Sequence, residues 1–426
     1  STLDPHSFPT RRSSDLDDIS FRVWQELWPI VQTHVWHLYK QSLIIGHLPN
    51  LWAEAKIVVI PKPGKADYTI PKAYRPISLL RTISKGLERI MAQRLSEYLE
   101  RTRLLANTQF GARAQRSTNH ALMILQEETF QAWRQGNILS LVTFDVQGAY
   151  NGVNKDILRQ RLQGMGIYGC FLRWIYSFCS NRKAQISFGN FNSAMAAIDE
   201  PGLPQGSPLS PILYIVYNSN LLRGAITPKY GDMGFVDDYT AWVIGPNLDE
   251  NTSRLQEEFI PRITEWEKSS GATFEVQKTQ FIHFGRNRAN AQPWKPLYMN
   301  DRPIYPMGTA KILGVHLDQG LRMKEHHATC AQKAKTQAIA LGSISGLRPA
   351  AMRQLYLATV ASKMDYEAPI WFKTGEKNGT ANKHYTAIQK LGSKAITGAY
   401  RTAAGPLLEI EAGLQYTSSR VRAKVR

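Results

Sequence analysis

Apolar residues recur every three or four positions along much of the chain, which is the spacing of an amphipathic helix. The first such stretch covers Phe21–Ile45 and ends before Gly46 and Pro49, residue types that close helices. The same spacing predicts helices over 84–100, 119–133, 155–164, 167–180, 210–222 and 254–270. Much of the chain is therefore expected to be helical.

Short runs of β-branched and apolar residues lie between these predicted helices and predict strands. They cover 55–60, 137–144, 183–188, 234–244 and 281–284. Alternating strands and helices predict an α+β or α/β domain that extends to about residue 286. After ILGVHL (312–317) the pattern becomes almost wholly helical, over 324–344, 349–363 and 382–396, which predicts a second, all-helical subdomain.

The first sixteen residues show no hydrophobic period, and they contain two prolines, an Arg-Arg pair and no apolar segment like that of a signal peptide. We exclude them as a non-native or disordered leader, because SFPTRRSSDL (7–16) also resembles a translated sequencing-adapter oligonucleotide. The last residues, RVRAKVR, stop within a basic helical run that has no cap. We expect the chain to be a fragment of a longer protein.

Charge changes this picture more than composition does. The 426 residues are 43% hydrophobic and 20% charged, as in ordinary globular proteins, but 52 Lys and Arg against 34 Asp and Glu leave a formal charge of +18. That excess predicts a polyanionic partner, nucleic acid first and an anionic membrane surface second. No run approaches the ~18–20 apolar residues of a membrane-spanning helix, so we expect a soluble protein with no membrane partner.

The three cysteines, Cys170, Cys179 and Cys330, are too far apart for a paired metal motif and odd in number. They support neither a disulfide framework nor a zinc site, so we expect buried thiols in a reducing compartment. A chain of this length can bury a sufficient core without such cross-links.

Acidic residues end one apolar run and interrupt another. FDVQGAYN places Asp145 at the end of a predicted strand, and GFVDDYTAWV places Asp237 and Asp238 inside a sequence with the pattern of a buried hairpin. Buried adjacent carboxylates cost several kcal/mol unless a cation compensates them. Oxygen ligands favour Mg²⁺, and two such ions about 3.5–4 Å apart can serve an in-line phosphoryl displacement. The structural alternative is that Asp237 and Asp238 form a hairpin turn and that Asp145 caps the following helix.

The segment PGLPQGSPLSP (201–211) is rich in Gly and Pro and precedes an apolar helix. Its backbone can approach a ligand closely before the helix begins, and Gln205 and Ser207 can contact a base or a sugar. An ordinary surface loop is the alternative.

Basic residues gather in a second loop. IPKPGK, followed by YRPISLL, places Lys62, Lys65 and Arg75 around a turn. Arginine offers a bidentate fork and lysine a mobile charge, so the group suits a triphosphate, with a solvated basic loop as the alternative. FEVQKTQFIHF adds Lys278 before a strand, where it is either a proton donor on the phosphate side or a solvated strand end.

The order of these segments resembles the fingers and palm of a reverse transcriptase. A basic loop comes first, then a strand-end Asp with Tyr150 five residues later, a Gly/Pro loop with Gln, an Asp-Asp hairpin, a Lys before a strand, and LGVHLD. Within that family the chain resembles the non-LTR (LINE-type) retrotransposon polymerases, and among them fungal-type elements that carry FDVxGAYN, GLPQGSPLSPIL and FVDDYTAWV. The resemblance covers roughly 19–426. It implies an α+β fold of right-hand architecture, with fingers, a palm built on an antiparallel sheet, and a helical thumb.

The resemblance also implies roles for the residues singled out above. Asp145, Asp237 and Asp238 would be the catalytic carboxylates that bind metal, and Tyr150 would stack under the incoming sugar and refuse a 2′-OH. Lys278 would act near the pyrophosphate leaving group. Substrate contacts would come from the strand wall at Phe144 and Val146, from the loop at Pro204, Gln205 and Gly206, and from the triphosphate ligands Lys62, Lys65 and Arg75.

The implied domains are an N-terminal helix with fingers over 17–137, a palm over 138–318 and a thumb or connection over 319–426. The implied partners are an RNA template, a DNA primer or target, their hybrid and dNTPs, with two Mg²⁺ ions, or Mn²⁺, as cofactors. Thumb lysines and arginines would follow duplex phosphates without reading sequence. We expect an intracellular protein that is made in the cytoplasm and acts in the nucleus at the site of integration.

The expected activity is RNA-directed DNA polymerisation, a nucleotidyl transfer to a primer 3′-OH. One alternative is a decayed or domesticated copy that binds RNA without polymerising; the leader and the abrupt end favour it, and the intact carboxylates and Tyr150 oppose it. A metal-dependent nuclease would use the same aspartates but leaves Tyr150 and the PQGSP loop unexplained. A structural DNA-binding module leaves Asp237 and Asp238 without a purpose.

Overall fold

The computed structural model of the chain describes residues 16, 19, 21–286, 295–372, 379–400 and 402–425. The leader predicted over the first sixteen residues therefore lies outside the described residues, except for its last one. Strands and helices alternate up to residue 318, and the described residues after it are helical or irregular. The α+β class predicted from the sequence is confirmed.

The helices are α1 (Phe21–Ile45), α2 (Thr82–Arg101), α3 (Thr118–Arg134), α4 (Lys155–Gly164), α5 (Gly169–Phe178), α6 (Ser210–Tyr217), α7 (Leu248–Arg254), α8 (Ile260–Ser270), α9 (Lys324–Gly342), α10 (Pro349–Tyr356), α11 (Ser362–Met364), α12 (Ala368–Trp371), α13 (Gly379–Thr397), α14 (Gly405–Glu411) and α15 (Thr417–Val425). The strands are β1 (Glu54–Pro61), β2 (Tyr74–Leu79), β3 (Ile138–Asp145), β4 (Lys183–Phe188), β5 (Phe191–Asn192), β6 (Ala196–Ala197), β7 (Tyr230–Phe235), β8 (Asp238–Gly245), β9 (Gln280–Phe284), β10 (Leu297–Met299), β11 (Arg302–Ile304), β12 (Thr309–Ile312) and β13 (Val315–Asp318).

An antiparallel sheet in the order β7-β8-β3-β9, which we call the palm sheet, carries the first part of the site. Inside it, β3 pairs with β8 on one side and with β9 on the other. Successive side chains of β3 point to opposite faces, and both faces are buried. Leu139 and Leu141 pack with α3 and the C-terminal helices, whereas Val142 and Phe144 pack with the helix before Gly271. Burial on both faces explains why this strand is almost continuously apolar.

A second sheet, which we call the fingers sheet, has the order β2-β1-β4-β5, with β6 beside β4. In it, β1 is antiparallel to β2 and parallel to β4. Its strands come from 54–79 and from 183–197, so part of the range predicted as palm belongs to the sheet predicted as fingers. The domain boundaries after residues 137 and 318 remain predictions.

A buried ion pair fastens the last described helix to the rest of the helical subdomain. The Arg420 guanidinium donates from Nε to Asp365 Oδ2 at 2.8 Å and from Nη2 to Asp365 Oδ1 at 3.0 Å. Lys424 Nζ lies 2.9 Å from the same Oδ2, and Asp365 has no exposed side-chain surface. A buried carboxylate requires such partners, so α15 is an integral part of this subdomain.

Many predicted elements are present, and α1, α4 and β4 have the predicted bounds. The single strand predicted over 234–244 is wrong, because Val236 and Asp237 form a turn that divides it into β7 and β8. The helix predicted over 210–222 ends at Tyr217. The strand β2 was not predicted, since YRPISL carries a proline and no clear alternation.

The cysteines are free thiols. Cys179 and Cys330 are buried as expected, but Cys170 is exposed in the first turn of α5, which corrects that prediction. Within the described ranges, no helix has the length and apolar character needed to cross a bilayer.

Candidate active site

A cavity of about 1000 Å³ opens between the palm sheet and the fingers sheet. Most residues singled out from the sequence line it, namely Lys62, Lys65, Arg75, Phe144, Asp145, Val146, Tyr150, Gln205, Asp237, Asp238 and Lys278. They lie up to about two hundred residues apart in the sequence, so only the fold brings them together. Pro204 and Gly206 flank Gln205 but do not line the cavity.

The central strand pair of the palm sheet sets the position of the aspartates. Asp145, the last residue of β3, is the register partner of Asp238, the first residue of β8. Asp237 immediately precedes Asp238 in the turn that joins β7 to β8. The hairpin turn offered as a structural alternative is therefore real, and it is also what gathers the carboxylates. Asp145 does not cap the next helix, because Asn154 Oδ1 accepts the capping hydrogen bonds of α4.

The turn before Asp237 has a strained backbone and close support. Val236 has φ 58°, a left-handed conformation that is rare for a β-branched residue. Asn218 Nδ2 donates to the Val236 carbonyl oxygen at 3.2 Å. A Cβ added to Gly111 would lie 2.4 Å from the Val236 nitrogen, so glycine alone permits this approach. The turn is thus held from two sides, as strained functional turns require.

The clustered carboxylates repel one another. Asp238 has an open side toward the cavity, but burial on its other sides and the charges of Asp237 and Asp145 raise its pKa to about 7. Burial is also the largest cause that raises the pKa of Asp237, and the charge of Asp145 adds to it. In the metal-free protein at neutral pH, Asp238 therefore holds a proton for much of the time.

Lys278 lies against this cluster. Its Nζ is 2.7 Å from Asp145 Oδ2 and 2.5 Å from Glu275 Oε2. Burial alone would lower the pKa of Lys278, but the hydrogen bonds to Asp145 and Glu275 more than offset it and raise the pKa. Lys278 is therefore a stable cation at the cavity wall, and Glu275 is a neighbour that the sequence pattern did not single out.

The donor chemistry fits a hard divalent cation. Carboxylate oxygens are the available charged ligands at the described cavity wall, which has no His or Cys. Across the described residues, no three His, Cys, Asp or Glu side chains form a group that could hold a metal by itself. Mg²⁺ does not need one, because it uses one or two carboxylates and completes its shell with water and substrate phosphates. The residues thus fit an ion that protein and substrate hold together.

Tyr150 stands on the opposite wall of the cavity. Its ring packs on Tyr214 with the ring centroids 5.1 Å apart. Burial and the charge of Asp237 raise the pKa of Tyr150 to about 12, so its hydroxyl stays neutral. A ring held in this way presents a fixed, bulky surface to anything that enters beside the aspartates.

The Gly/Pro loop contacts the backbone on both sides of the cavity. Leu203 N donates to the Tyr150 carbonyl oxygen at 2.8 Å, and a Cβ on Gly202 would lie 2.5 Å from that same oxygen. At the other end, Ser78 N donates to the Gln205 carbonyl oxygen at 2.7 Å. A Cβ on Gly206 would lie 2.4 Å from the Ser78 carbonyl oxygen. The two glycines therefore serve backbone packing, which corrects the prediction that Gly206 lines the pocket.

Ser207 is buried and turned away from the cavity, which corrects its predicted contact with a base or sugar. Its hydroxyl donates to Glu88 Oε2 at 2.6 Å, and Ser84 donates to Glu88 Oε1 at 2.6 Å. Glu88 has no exposed surface. A fully buried carboxylate is costly unless both oxygens are bonded, so this pair of hydroxyls joins α2 to the loop.

Positive charge covers the fingers side of the cavity. Lys62 Nζ donates to the Lys72 carbonyl oxygen at 2.9 Å. Burial lowers the pKa of Lys62, and the nearby charges of Lys278, Lys65 and Arg75 lower it further. Cations held this close to each other favour a polyanion between them.

Lys311 also lines the cavity, from strand β12, and its charge lowers the pKa of Asp238. The sequence analysis did not single it out, because it precedes a segment that showed only a change of pattern. Nothing in its spacing could have revealed that the β12–β13 hairpin reaches the aspartates.

Residues 60–317 match the family described as "Reverse transcriptase (RNA-dependent DNA polymerase)". The chain belongs to this family. The matched range begins in β1 and ends in β13, so it contains the cavity and the strands that build it. The right-hand polymerase architecture predicted from the sequence is confirmed. Reverse transcriptases use divalent metal ions, in agreement with the oxygen ligands found here.

Curated relatives are transposon proteins. The chain is 27% identical over 401 residues to the "Probable RNA-directed DNA polymerase from transposon BS" of Drosophila melanogaster, covering 92% of this chain and 43% of that protein. It is 26% identical over 305 residues to the "RNA-directed DNA polymerase from mobile element jockey" of the same species, covering 70% of this chain and 32% of that protein. The chain thus spans less than half the length of these relatives. The predicted relationship to non-LTR retrotransposons is confirmed, while the fungal type stays a prediction.

Among solved structures, the chain is similar to apo telomerase from Candida tropicalis. The identity is 13%, the match covers 94% of this chain and 68% of that chain, and the TM-score is 0.49.

Removing the charge of Asp238 is expected to stabilise the metal-free protein at about pH 8 more than at about pH 4.5. Because its folded pKa is about 7 and its ordinary value is 3.8, the folded state keeps a proton that the unfolded chain releases between these values. Stability is therefore lost as the pH rises through that window. In EDTA, the melting temperature of Asp238→Asn should exceed that of the wild type by an amount that grows with pH.

Thermal unfolding at both pH values measures this difference. Asp249→Asn, an exposed change on α7, is the matched control and should show no such growth. A stabilisation by Asp238→Asn that is equal at both pH values would contradict the electrostatic explanation.

Proposed function

We propose that this chain is the RNA-directed DNA polymerase of a non-LTR retrotransposon, which extends a primer 3′-OH with dNTPs on an RNA template. One observation carries the proposal. A single cavity holds the Asp145–Asp238 register pair and Asp237 on one side, and Tyr150, Gln205 and a basic group on the other. Membership of the reverse transcriptase family and the names of the curated relatives support it.

In this proposal Asp145, Asp237 and Asp238 hold Mg²⁺, or Mn²⁺ in its place. The ions supply the positive charge that activates an attacking hydroxyl and stabilises a leaving oxygen. The raised pKa values of Asp237 and Asp238 support the assignment, because carboxylates that repel each other gain most from a cation.

The remaining residues position the nucleotide. Lys62, Lys65 and Arg75 bind the triphosphate, and Lys278, which stays protonated at neutral pH, faces the pyrophosphate end as a proton donor. Phe144 and Val146 form the wall beside Asp145, and Gln205 contacts the template or the nucleotide from the loop. Positioning of this kind supplies most of the rate in phosphoryl transfer.

The partners in this proposal are the RNA template, a DNA primer or target and their hybrid. The formal charge of +18 supports a polyanionic partner of this kind. We also propose a fingers region over 17–137, a palm over 138–318 and a thumb over 319–426, with action in the nucleus at the integration site. Because the chain spans less than half of its curated relatives, these roles describe this portion of such a protein.

Replacing Asp237 with Asn should abolish DNA synthesis while sparing RNA binding. The change keeps the side-chain volume but removes a charge that the metal requires, so incorporation should fall at least ~100-fold. The measurement is primer extension on oligo(dT)-primed poly(rA) with dTTP and Mg²⁺, with fluorescence anisotropy for RNA binding. Asp249→Asn should extend primers like the wild type. Extension by Asp237→Asn within a few-fold of the wild-type rate would remove the metal assignment.

Replacing Tyr150 with Ala should admit ribonucleotides. Loss of the ring opens space beside the sugar, so the preference for dNTP over rNTP, measured as the ratio of kcat/KM values, should fall at least ~10-fold. Tyr150→Phe keeps the ring and should keep the preference. If Tyr150→Ala discriminates like the wild type, another residue excludes the 2′-OH.

Replacing Gly111 with Ala should slow incorporation without changing the ligands. The added Cβ would press on the backbone at Val236 and displace the turn that carries Asp237, and displacement by about 1 Å can cost ~100-fold in rate. Single-turnover extension measures this rate. Gly164→Ala, where a Cβ meets nothing within 4 Å, should have wild-type activity. A wild-type rate for Gly111→Ala would show that the turn tolerates movement.

A further inference from the structure

A row of aromatic side chains leads out of the cavity along the fingers sheet. It consists of Tyr68, Tyr74, Phe188 and Phe191, and we call it the fingers aromatic row. Tyr74 lines the cavity, and its ring meets Phe188 edge to face at 5.4 Å and Tyr68 at 6.1 Å between centroids. Phe188 and Phe191 are register partners in β4 and β5, so their side chains share one face of the sheet. The row therefore runs continuously from the cavity to the tip of a hairpin.

The outer rings of this row are open to solvent. Phe188 is 50% exposed, Phe191 63% and Tyr68 41%, and Ile186, which precedes Phe188 on the same face, is 48% exposed. Single exposed apolar residues are common, but a contiguous group of large ones marks an interaction site. Because these rings contribute little to the core, folding does not account for their size.

The rings are also held in place. The Tyr68 hydroxyl donates to the Lys62 carbonyl oxygen at 2.8 Å, and the Tyr74 hydroxyl donates to the Tyr68 carbonyl oxygen at 2.9 Å. Phe188 and Phe191 flank the two-residue turn at 189–190, in which Gly189 has φ 57°. Their faces are thus presented with little conformational freedom to lose on binding.

The charge around the row selects the ligand. Residues 54–75 contain five basic side chains and two acidic ones. Both acids are engaged: Glu54 pairs with Arg81, and Asp67 accepts from the backbone N and the hydroxyl of Thr69. Aromatic rings beside unneutralised cations bind single-stranded nucleic acid, because the rings stack on bases while the cations follow phosphates. A base-paired duplex hides its base faces from such stacking.

We propose that the fingers aromatic row binds unpaired bases of the template strand before they reach the cavity. This inference rests on the proposed function, since it takes the cavity as the place where the template is copied. The row would hold the incoming single strand by stacking and with little sequence preference. It would thereby add affinity for templates with a long unpaired 5′ overhang and none for templates without one.

The double variant Phe188→Ala/Phe191→Ala tests this assignment. The probes are fluorescein-labelled RNA templates on one DNA primer, with overhangs of about ten nucleotides and of one nucleotide. Binding is measured by anisotropy in EDTA without dNTPs. The Kd for the long overhang should rise about 5- to 100-fold, the range expected for loss of base stacking, whereas the Kd for the short overhang should change less than about twofold.

Two further variants control for surface and fold. Tyr168→Ala removes another exposed ring, 64% exposed and outside the row, and should change neither Kd. Phe188→Trp/Phe191→Trp keeps stacking surfaces and should bind the long overhang at least as tightly as the wild type. If circular dichroism shows that the double alanine variant is unfolded, Phe191→Ala alone should still raise the long-overhang Kd.

An equal change of both Kd values, or of neither, would overturn the proposal. So would loss of self-association in sedimentation with unchanged RNA binding, which would make this face a contact between copies of the chain. The binding assay needs no polymerase activity, and the same comparison in an Asp237→Asn background should give the same ratio. Overhang-dependent binding by a chain that never extends primers would therefore refute the proposed function and leave the row as an RNA-binding site.

Discussion

The antiparallel pairing of β3 with β8 is the interaction on which the site depends. Its register sets Asp145 opposite Asp238, and a slip of one residue would turn one carboxylate to the other face of the sheet. The register is strongly specified, because β3 buries apolar side chains on both faces. The core thus provides the energy that holds three mutually repelling carboxylates at one edge, and the raised pKa values of Asp237 and Asp238 show that repulsion.

The fingers and palm sheets are linked by the Gly/Pro loop rather than by a shared strand. Gly202 packs on the backbone at Tyr150, Gly206 packs on Ser78, and Ser207 bonds to the buried Glu88. Because these contacts involve backbone atoms and a fully buried carboxylate, they leave the loop little freedom. The position of Gln205 relative to the aspartates is therefore fixed by packing on both sides, which suits a site that works by positioning.

Sequence patterns succeeded where a local cause decides the structure. The period of α1, the apolar run of β3 and the short strand β4 were predictable, because one helical face or one buried strand determines each of them. The order of the motifs indicated the reverse transcriptase family and its catalytic carboxylates before any fold was known. Predictions failed where a distant partner decides: Ser207 turns to Glu88, Gly206 serves Ser78, and a turn at Val236 divides the strand predicted over 234–244.

The sequence by itself determined the class of fold, the family and the residue types that can hold a metal and a triphosphate. The tertiary structure decided which residues meet. It brought Lys311 and Glu275 to the carboxylates, removed Ser207 from the cavity and placed β4 and β5 beside β1. The physical reason is that periodicity and motifs reflect forces along one segment, whereas cavities arise from the register and packing of segments that are far apart in the chain.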